Sequence, residues 1–326
     1  MIHRRRFLKA LAAGGLLPLP LRAEEKARPL RIGLIADVHK DVIHDADMRL
    51  QTFITTMTAF KVDAILQMGD FCVPKPANQG FLDIWNSFNG ERHHMIGNHD
   101  TDGGFTREQV VAFWGMPARY YSFDLGGFHF IALDANDRPE GFKGGYPSSL
   151  AADQLEWLKQ DLAKTTLNTF VFTHQSLEAD LTNRDEVRAV LEAAKTTDGK
   201  RKVAACLNGH RHIDHTAEIH SIPYIDINSA SYLWVGGKFR RERLDPDLAK
   251  AHPYVSHTIP YVDPVFTVLE IDPAVGTFSL AASESRWMGP GPDEIGYPPA
   301  DSPFKRDMLF PGIRALKRGF RGEHRG

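Results

Sequence analysis

Carboxylate, amide and imidazole side chains follow five short apolar segments of the chain. In chain order the fragments are Asp37-Val38-His39, Gly69-Asp70, Gly97-Asn98-His99-Asp100, Thr173-His174 and Gly209-His210-Arg211-His212. Residues i and i+2 of an extended segment face the same side, so both members of an Asp-x-His or His-x-His pair are expected to reach one ion. Oxygen and imidazole donors without a thiolate suit manganese, iron or zinc. Each fragment alone is common, but five in succession predict a metal site.

The apolar segments that precede these fragments alternate with helical patterns. Residues 30–36, 62–68 and 93–96 are apolar runs that predict buried strands. Residues 46–60 and 81–88 have apolar residues near helical spacing and predict the helices between them. This alternation is typical of an α/β sheet, in which the strand ends meet along one edge.

The second half of the chain continues with predicted strands. A hairpin is expected over residues 120–124 and 128–133 because Gly126-Gly127 separates two apolar runs. A helix is expected over residues 153–163. The remaining predicted strands cover residues 169–173, 203–207, 217–219, 224–227, 265–271 and 277–281, the last four of them antiparallel.

The ordered set of five fragments resembles the calcineurin-like metallophosphoesterases. The resemblance extends over residues 30–280, and residues 153–162 are similar to the recurrent helix between the third and fourth motifs of that family. It implies a four-layer α/β/β/α sandwich with the metals at the strand ends. The predicted strands are compatible with that architecture but do not by themselves establish two packed sheets.

The resemblance also implies two metal ions and their ligands. One ion would be bound by Asp37, His39, Asp70 and His212, and the other by Asp70, Asn98, His174 and His210, so that Asp70 bridges them. In such sites a hydroxide bridging the two metals attacks phosphorus in line with the leaving oxygen. By the same resemblance His99 donates a proton to the leaving group or stabilises the transition state. Asp100 is expected to orient the His99 ring.

The residues after Asp70 differ from the motifs of two branches of the family and so exclude the activities of those branches. Phe71-Cys72-Val73-Pro74 follows Asp70, whereas protein Ser/Thr phosphatases have Gly-Asp-x-x-Asp-Arg-Gly. Val73 stands where purple acid phosphatases have a tyrosine. We therefore expect a phosphodiesterase acting on a small nucleotide or a glycerophosphodiester-like substrate. The alternatives are a phosphomonoesterase, a nucleotide-diphosphate pyrophosphatase, and a catalytically inactive family member that still binds metal.

Substrate contacts are expected from loops beyond the five motifs. Asn136, Arg138 and Lys143 are predicted phosphate contacts, because they follow the hairpin. The aromatic residues that could cover a base or an apolar group are Phe105, Trp114, Tyr146, Tyr232, Trp234 and Tyr254. Cys72 and Cys206 lie near motif residues and are either a redox-sensitive pair or two ordinary buried thiols.

Charge divides the chain into three parts. The formal net charge is −2 over 326 residues, with 42% apolar and 25% charged residues, and nothing in these totals indicates nucleic-acid binding. Residues 1–23 carry five basic and no acidic side chains, and residues 304–326 carry seven basic and two acidic ones. Because each end contributes +5, the segment between them carries −12. The expected ligand is nevertheless an anionic phosphoester, since two divalent ions would make the site locally positive.

The basic N-terminus resembles a twin-arginine export signal. The run Arg4-Arg5-Arg6-Phe7-Leu8-Lys9 is followed by an apolar segment too short to span a bilayer. We expect cleavage after Ala23, passage through the twin-arginine machinery, a periplasmic or otherwise exported location, and no membrane span in the mature chain. The expected organisation is a signal peptide (1–23), one metallophosphoesterase domain (24–303) with a loop or cap at 231–264, and a basic tail (304–326).

Overall fold

The computed structural model describes residues 28–320. The predicted signal peptide and residues 321–326 therefore lie outside the described part of the chain. The strands in chain order are β1 Leu30–Ile35, β2 Ala64–Gln67, β3 Glu91–His94, β4 Tyr121–Leu125, β5 Phe128–Leu133, β6 Thr169–Thr173, β7 Val203–Asn208, β8 His215–Ile219, β9 Ile222–Asp226, β10 Tyr232–Trp234, β11 Thr258–Pro260, β12 Thr267–Asp272, β13 Thr277–Leu280, β14 Ser283–Glu284, β15 Gly312–Ile313 and β16 Leu316–Gly319. The helices are α1 Ala46–Phe60, α2 Gln79–Asn86, α3 Arg107–Trp114, α4 Ala152–Lys164, α5 Arg184–Ala193 and α6 Pro246–Ala251.

Two six-stranded sheets form the centre of the fold. The first has the order β16-β13-β12-β1-β2-β3 and the second the order β4-β5-β6-β7-β9-β8. β1, β2 and β3 are parallel neighbours in the first sheet. β5, β6, β7 and β9 are parallel neighbours in the second. The carboxyl ends of these parallel strands are where the five chemical fragments begin.

The two sheets pack face to face. One hydrophobic cluster contains Leu30, Ile32 and Leu34 of β1 together with Phe130 of β5 and Phe172 of β6. Alternate residues of a strand point to opposite faces, so the other face of β1 must be covered separately. A Cβ at Gly33 would lie 2.4 Å from Sδ of Met57, which shows how closely α1 packs on that face.

Helices cover both outer faces. On the first sheet, α1, α2 and α3 contribute Phe53, Trp85 and Trp114 to a second hydrophobic cluster. On the second sheet, α4 and α5 contribute Leu158 and Leu191 to a third. The four layers are therefore helices, sheet, sheet and helices, which confirms the predicted α/β/β/α sandwich.

The predicted elements before residue 281 are present with shifted ends. The strand predicted over 93–96 occupies Glu91–His94, and the hairpin of β4 and β5 is antiparallel as expected. Helices α3 and α5 have no counterpart among the predicted elements, although α5 has Val187 and Leu191 buried at helical spacing. None of the helices described within residues 28–320 has both the length and the apolar character that crossing a bilayer requires.

The C-terminal part of the chain is more structured than expected. The fold does not end at residue 303, because β16 pairs antiparallel with β13 and extends the first sheet. Part of the basic tail is thus an edge strand of the domain. The segment 231–264, which was expected to be a loop or cap, contains regular structure, because β10 pairs with β11 and α6 lies between them.

Candidate metal centre

The predicted ligands converge where parallel strands of both sheets end. Asp37 follows β1, Asp70 follows β2 and Asn98 follows β3, while His174 follows β6 and His210 follows β7. Packing the two sheets face to face brings these ends together. Two groups of side chains have ligand atoms close enough to share an ion: Asp37, His39 and His212, and Asp70, His174 and His210.

The first group is compact. Nε2 of His212 lies 3.2 Å from Oδ1 of Asp37 and 3.1 Å from Nε2 of His39. Asp37 is fully buried, and His39 and His212 are nearly so. One carboxylate oxygen and two ring nitrogens therefore face a common point.

Asp70 lies between the two groups. Its Oδ2 is 3.1 Å from Nε2 of His174 and 3.6 Å from Nε2 of His39. Its Oδ1 accepts a hydrogen bond of 2.8 Å from the backbone N–H of His99, which fixes the carboxylate. One oxygen of Asp70 thus faces histidines of both groups, as a bridging ligand would.

Backbone carbonyls orient two of the histidines. Nδ1 of His174 lies 2.8 Å from the carbonyl oxygen of Met68, and Nδ1 of His212 lies 2.8 Å from that of Tyr232. A ring that donates through Nδ1 presents Nε2 as the basic nitrogen. Both rings are therefore held in the tautomer that binds a cation through Nε2.

The backbone at these residues is not extended. Asp37, His39, Asp70, His210 and His212 all have φ between 51° and 69°, in the left-handed region. The expectation that i and i+2 can reach one ion holds for Asp37 and His39, which share a group, although the segment is not extended. His210 and His212 belong to different groups. Such strained residues tend to cluster at functional sites.

Two glycines make room for the carboxylates. A Cβ at Gly97 would lie 2.2 Å from Oδ1 of Asp70, and a Cβ at Gly209 would lie 2.5 Å from Oδ2 of Asp37. Real Cβ atoms do not approach oxygen so closely, so any larger residue would displace the carboxylate. The glycines of the motifs are needed here for space next to the ligands.

The donor set fits a pair of divalent ions. Both polar atoms of the Asn98 amide are buried without a hydrogen-bond partner, which is costly unless a ligand satisfies them. Burial disfavours a charged His174, yet Asp70 and Asp37 outweigh burial and raise the pKa of His174 to about 10. The centre therefore stabilises positive charge strongly. Nitrogen and oxygen donors of this kind suit manganese, iron or zinc.

The two cysteines are not part of the centre. Cys72 belongs to the hydrophobic cluster under the first sheet, whereas Cys206 belongs to the cluster under the second. Burial raises the pKa of both thiols, which makes them poor nucleophiles and poor ligands. Of the two alternatives, the structure favours ordinary buried thiols over a redox pair.

His99 is oriented by Asp102 and Tyr146. Its Nδ1 lies 2.7 Å from Oδ2 of Asp102 and 3.0 Å from the hydroxyl of Tyr146. The Tyr146 hydroxyl also donates to Oδ1 of Asp102, at 2.8 Å. Burial opposes a charged His99 ring, but Asp70 and Asp102 outweigh it and raise its pKa.

The expected role of Asp100 is wrong. Its carboxylate oxygens accept hydrogen bonds from the backbone N–H groups of Asp70, Phe71 and Gly97, at 2.7–2.9 Å. Asp100 therefore joins the loops after β2 and β3 rather than orienting His99. The physical reason is the 3₁₀ turn over residues 99–104, which brings the side chain three residues after His99 alongside its ring.

A cavity of about 930 Å³ opens above the centre. Residues that line it include the predicted contacts Tyr232 and Trp234, and also Tyr146 and Tyr254. Asn136 is not free for substrate, because its amide nitrogen donates to the carbonyl of Ile96 and its oxygen accepts from Gln175.

Four other predicted contacts also lie elsewhere. Arg138 is exposed, and its guanidinium lies over the ring of Phe142 outside the cavity lining. Lys143 and Phe105 are likewise not among the lining residues. Trp114 is 4% exposed and belongs to the core beneath the first sheet. Position after the hairpin was therefore not a sufficient signal for a substrate contact.

Comparison with known proteins identifies the family of the chain and agrees with its fold. A family model described as calcineurin-like phosphoesterase matches residues 30–214. The fold is similar to that of a dimetal phosphatase from Danio rerio, at 16% identity and a TM-score of 0.56, over 80% of this chain and 99% of that one. It is also similar to GAP50, the anchor in the inner membrane complex of Plasmodium, at 14% identity and a TM-score of 0.55, over 91% and 90%. No curated protein sequence matches the chain.

Proposed function

Because the chain belongs to the calcineurin-like phosphoesterases, a family of metal-dependent phosphoester hydrolases, we propose that it hydrolyses phosphodiesters with two divalent ions. The observation that carries the proposal is the position of Asp70, with one carboxylate oxygen facing His39 and His174 of the two ligand groups. Asp37, His39, Asp70 and His212 would hold one ion, and Asp70, Asn98, His174 and His210 the other. Bound ions would supply Lewis acidity toward the phosphoryl oxygens and an activated water.

The residues of the chain orient the reacting groups. The two carboxylates of Asp37 and Asp70 are buried and fixed by backbone N–H groups of His210 and His99, so they need no reorganisation during the reaction. Asp102 and Tyr146 occupy Nδ1 of His99, which leaves Nε2 available to a substrate in the cavity. Asp70 and Asp102 raise the pKa of His99 against the effect of burial, which favours the protonated ring. His99 can then donate that proton to the leaving oxygen.

Preference for a diester over a monoester follows from the charge of the walls. Asp102 and Asp180 line the cavity, whereas the carboxylate of Asp41 is paired with Lys75, and a diester brings one negative charge where a monoester brings up to two. The space above the centre accommodates the second ester substituent.

The experiment is turnover of bis(4-nitrophenyl) phosphate and 4-nitrophenyl phosphate by protein supplied with manganese, iron or zinc. We expect faster turnover of the diester, loss of activity with a chelator, and loss of both activity and bound metal in Asp70→Asn. Full activity of metal-supplied Asp70→Asn would overturn the proposed mechanism. Faster turnover of the monoester would make the chain a phosphomonoesterase, and no turnover of any phosphoester would indicate an inactive metal-binding protein.

We also propose that the chain is exported in folded form. The support is the run Arg4-Arg5-Arg6-Phe7-Leu8-Lys9 and the apolar segment after it. A protein that folds before export can acquire its metals inside the cell. There the cell controls metal supply, so the intrinsically higher affinity of such sites for copper and zinc does not by itself decide which metal binds. Replacing both Arg4 and Arg5 with lysine should leave the full-length protein inside the cell. Unchanged release of that variant into the periplasm would contradict the proposal.

A further inference from the structure

A continuous row of aromatic rings leads from the metal centre to the surface. Tyr232 stacks on His39, with ring centroids 5.1 Å apart and planes inclined by 26°. Trp234 follows at 6.5 Å from Tyr232 and stacks on His257 at 5.8 Å. Tyr254 closes the row 6.0 Å from His257. The row begins at a predicted ligand and is built by the segment around β10 and β11.

The outer members of this row are exposed. Trp234 is 44% exposed and Tyr254 60%, and Tyr146 on another loop is 50% exposed. Within residues 28–320 only one other Phe, Tyr or Trp is more than a third exposed, namely Phe60, and it ends α1 outside the cavity lining. Large exposed aromatic side chains are unfavourable in water and their concentration in one cavity indicates a ligand surface.

Within residues 28–320, the lining of the same cavity offers no free Lys or Arg side chain. Among its lining residues in the described chain, the only Lys or Arg is Arg211. Its Nη1 lies 3.1 Å from Oε2 of Glu178 and 3.2 Å from Oδ2 of Asp226, and the ring of Phe304 covers its guanidinium. The charge of Arg211 is therefore already balanced.

Binding of a further phosphate normally uses arginine or lysine side chains. The walls instead carry the carboxylate of Asp180 and, beside the His99 ring, that of Asp102, while Asp41 is paired with Lys75. A substrate seated here can thus place one phosphoryl group at the metals, but it finds no partner for another.

From these contacts we infer that the substrate is a phosphodiester with a single phosphoryl group and a planar aromatic substituent that stacks along Trp234 and Tyr254. This inference rests on the proposed function and specifies its substrate class. It excludes nucleoside polyphosphates as preferred substrates and so disfavours the pyrophosphatase alternative. A flat uncharged ring, such as an aryl group or a nucleobase, gains stacking contact without bringing charge toward the acidic walls.

The first test compares two diesters with the same leaving group, phenyl 4-nitrophenyl phosphate and methyl 4-nitrophenyl phosphate. Because the departing group is identical, the ratio of their kcat/KM values, divided by the ratio of their alkaline hydrolysis rates, reports binding of the second substituent. We expect a ratio of about 10 in favour of the phenyl ester, in the range measured for ring stacking. In Trp234→Ala the ratio should fall close to one, whereas Trp234→Phe should retain most of it. Phe60→Ala is the matched control and should leave the ratio unchanged.

The second test concerns the lack of a free Lys or Arg side chain in the described lining of the cavity. The 4-nitrophenyl ester of thymidine 5′-phosphate is compared with the same ester carrying an added 3′-phosphate. We expect the added phosphate to lower kcat/KM several-fold, and Tyr254→Arg to reverse part of that loss by supplying a cation at the rim.

The outcomes separate this inference from the proposed function. Equal turnover of the phenyl and methyl esters, with metal dependence intact, would overturn the aromatic preference and leave a phosphodiesterase. A higher kcat/KM for the 3′-phosphorylated ester would overturn the single-phosphate claim. No metal-dependent turnover of any diester would remove the proposed function and the inference with it.

Discussion

Nδ1 of His99 lies 2.7 Å from Oδ2 of Asp102, three residues later in the chain. The pair is tied to a distant loop, because the Tyr146 hydroxyl contacts both side chains. An imidazole held through Nδ1 has a fixed tautomer and a fixed ring orientation. Asp102 is therefore a positioning residue for His99, and its effect should appear in the proton transfer and not in metal binding.

Asp102→Asn tests this relationship. For a diester with a poor alkyl leaving group, which needs a proton, we expect kcat to fall roughly 100-fold. For a 4-nitrophenyl ester, whose leaving oxygen needs little protonation, we expect a fall of less than about threefold. Steady-state kinetics across a series of leaving groups measures the difference as a steeper dependence on leaving-group pKa.

Controls distinguish positioning from damage to the fold. Asp301→Asn changes an exposed carboxylate and should alter neither rate. Bound metal in Asp102→Asn should match that of the unmodified protein. An equal loss of rate for good and poor leaving groups would mean that Asp102 supports the site without acting through the His99 proton.

Gly97→Ala should disrupt the metal centre by steric contact alone. A Cβ at this position would lie 2.2 Å from Oδ1 of Asp70, so the carboxylate has to move. We expect metal affinity to fall about tenfold or more, measured as metal content after dialysis against a weak chelator, with activity falling in parallel.

Gly80→Ala is the matched control, because a Cβ there meets nothing within 4 Å and residue 80 lies in α2. It should retain full metal content and gain about 0.5 kcal/mol of stability from the better helix propensity of alanine. Undiminished metal content in Gly97→Ala would contradict the steric argument.

The metal ligands of this site are easier to predict from the sequence than the residues that orient His99. Asp37, Asp70 and His174 each follow a buried apolar run, and the period of such runs can be read locally. Asp102 and Tyr146 have no such signal, since the hydrogen bond from Tyr146 spans 44 residues and depends on how two loops pack. Proximity in sequence instead suggested Asp100, whose carboxylate the fold uses to bind backbone N–H groups.

The same limit applies to the fold. β1 and β2 are predictable because all of their residues except Arg31 are buried, which requires nearly continuous apolar residues. β16 has the sequence Leu316-Lys317-Arg318-Gly319, without apolar alternation, and becomes a strand only because the edge of β13 offers hydrogen bonds. Its basic residues alone indicated a tail outside the domain.

His129 should make stability depend on pH. Burial opposes a charged His129 ring, but its two nitrogens lie 2.8 Å from Asp161 and 2.6 Å from Asp124, and these carboxylates raise its pKa. A raised pKa in the folded state stabilises the fold below the ordinary histidine value of about 6.5. The contribution is lost as the pH rises through the raised pKa.

Comparison of the protein with His129→Gln measures this effect. With metal held constant, the difference in free energy of unfolding should be about 1–2 kcal/mol near pH 6 and should shrink toward alkaline pH. Denaturant unfolding at several pH values gives the curve. A difference that is constant, or that grows with pH, would show that the ring is not charged in the folded protein.

The C-terminal strand should contribute measurably to stability. Phe320 follows β16, is 1% exposed, and packs edge-to-face against Phe128 of the second sheet with ring centroids 5.3 Å apart. Phe320→Ala removes a large side chain from between the sheets, so we expect the free energy of unfolding to fall by about 3 kcal/mol. Arg318→Ala, an exposed change on β16, should stay within about 0.5 kcal/mol of the unmodified protein. Denaturant unfolding measures both, and equal stability of the two variants would show that the pairing of β16 with β13 does not anchor the C-terminal segment between the sheets.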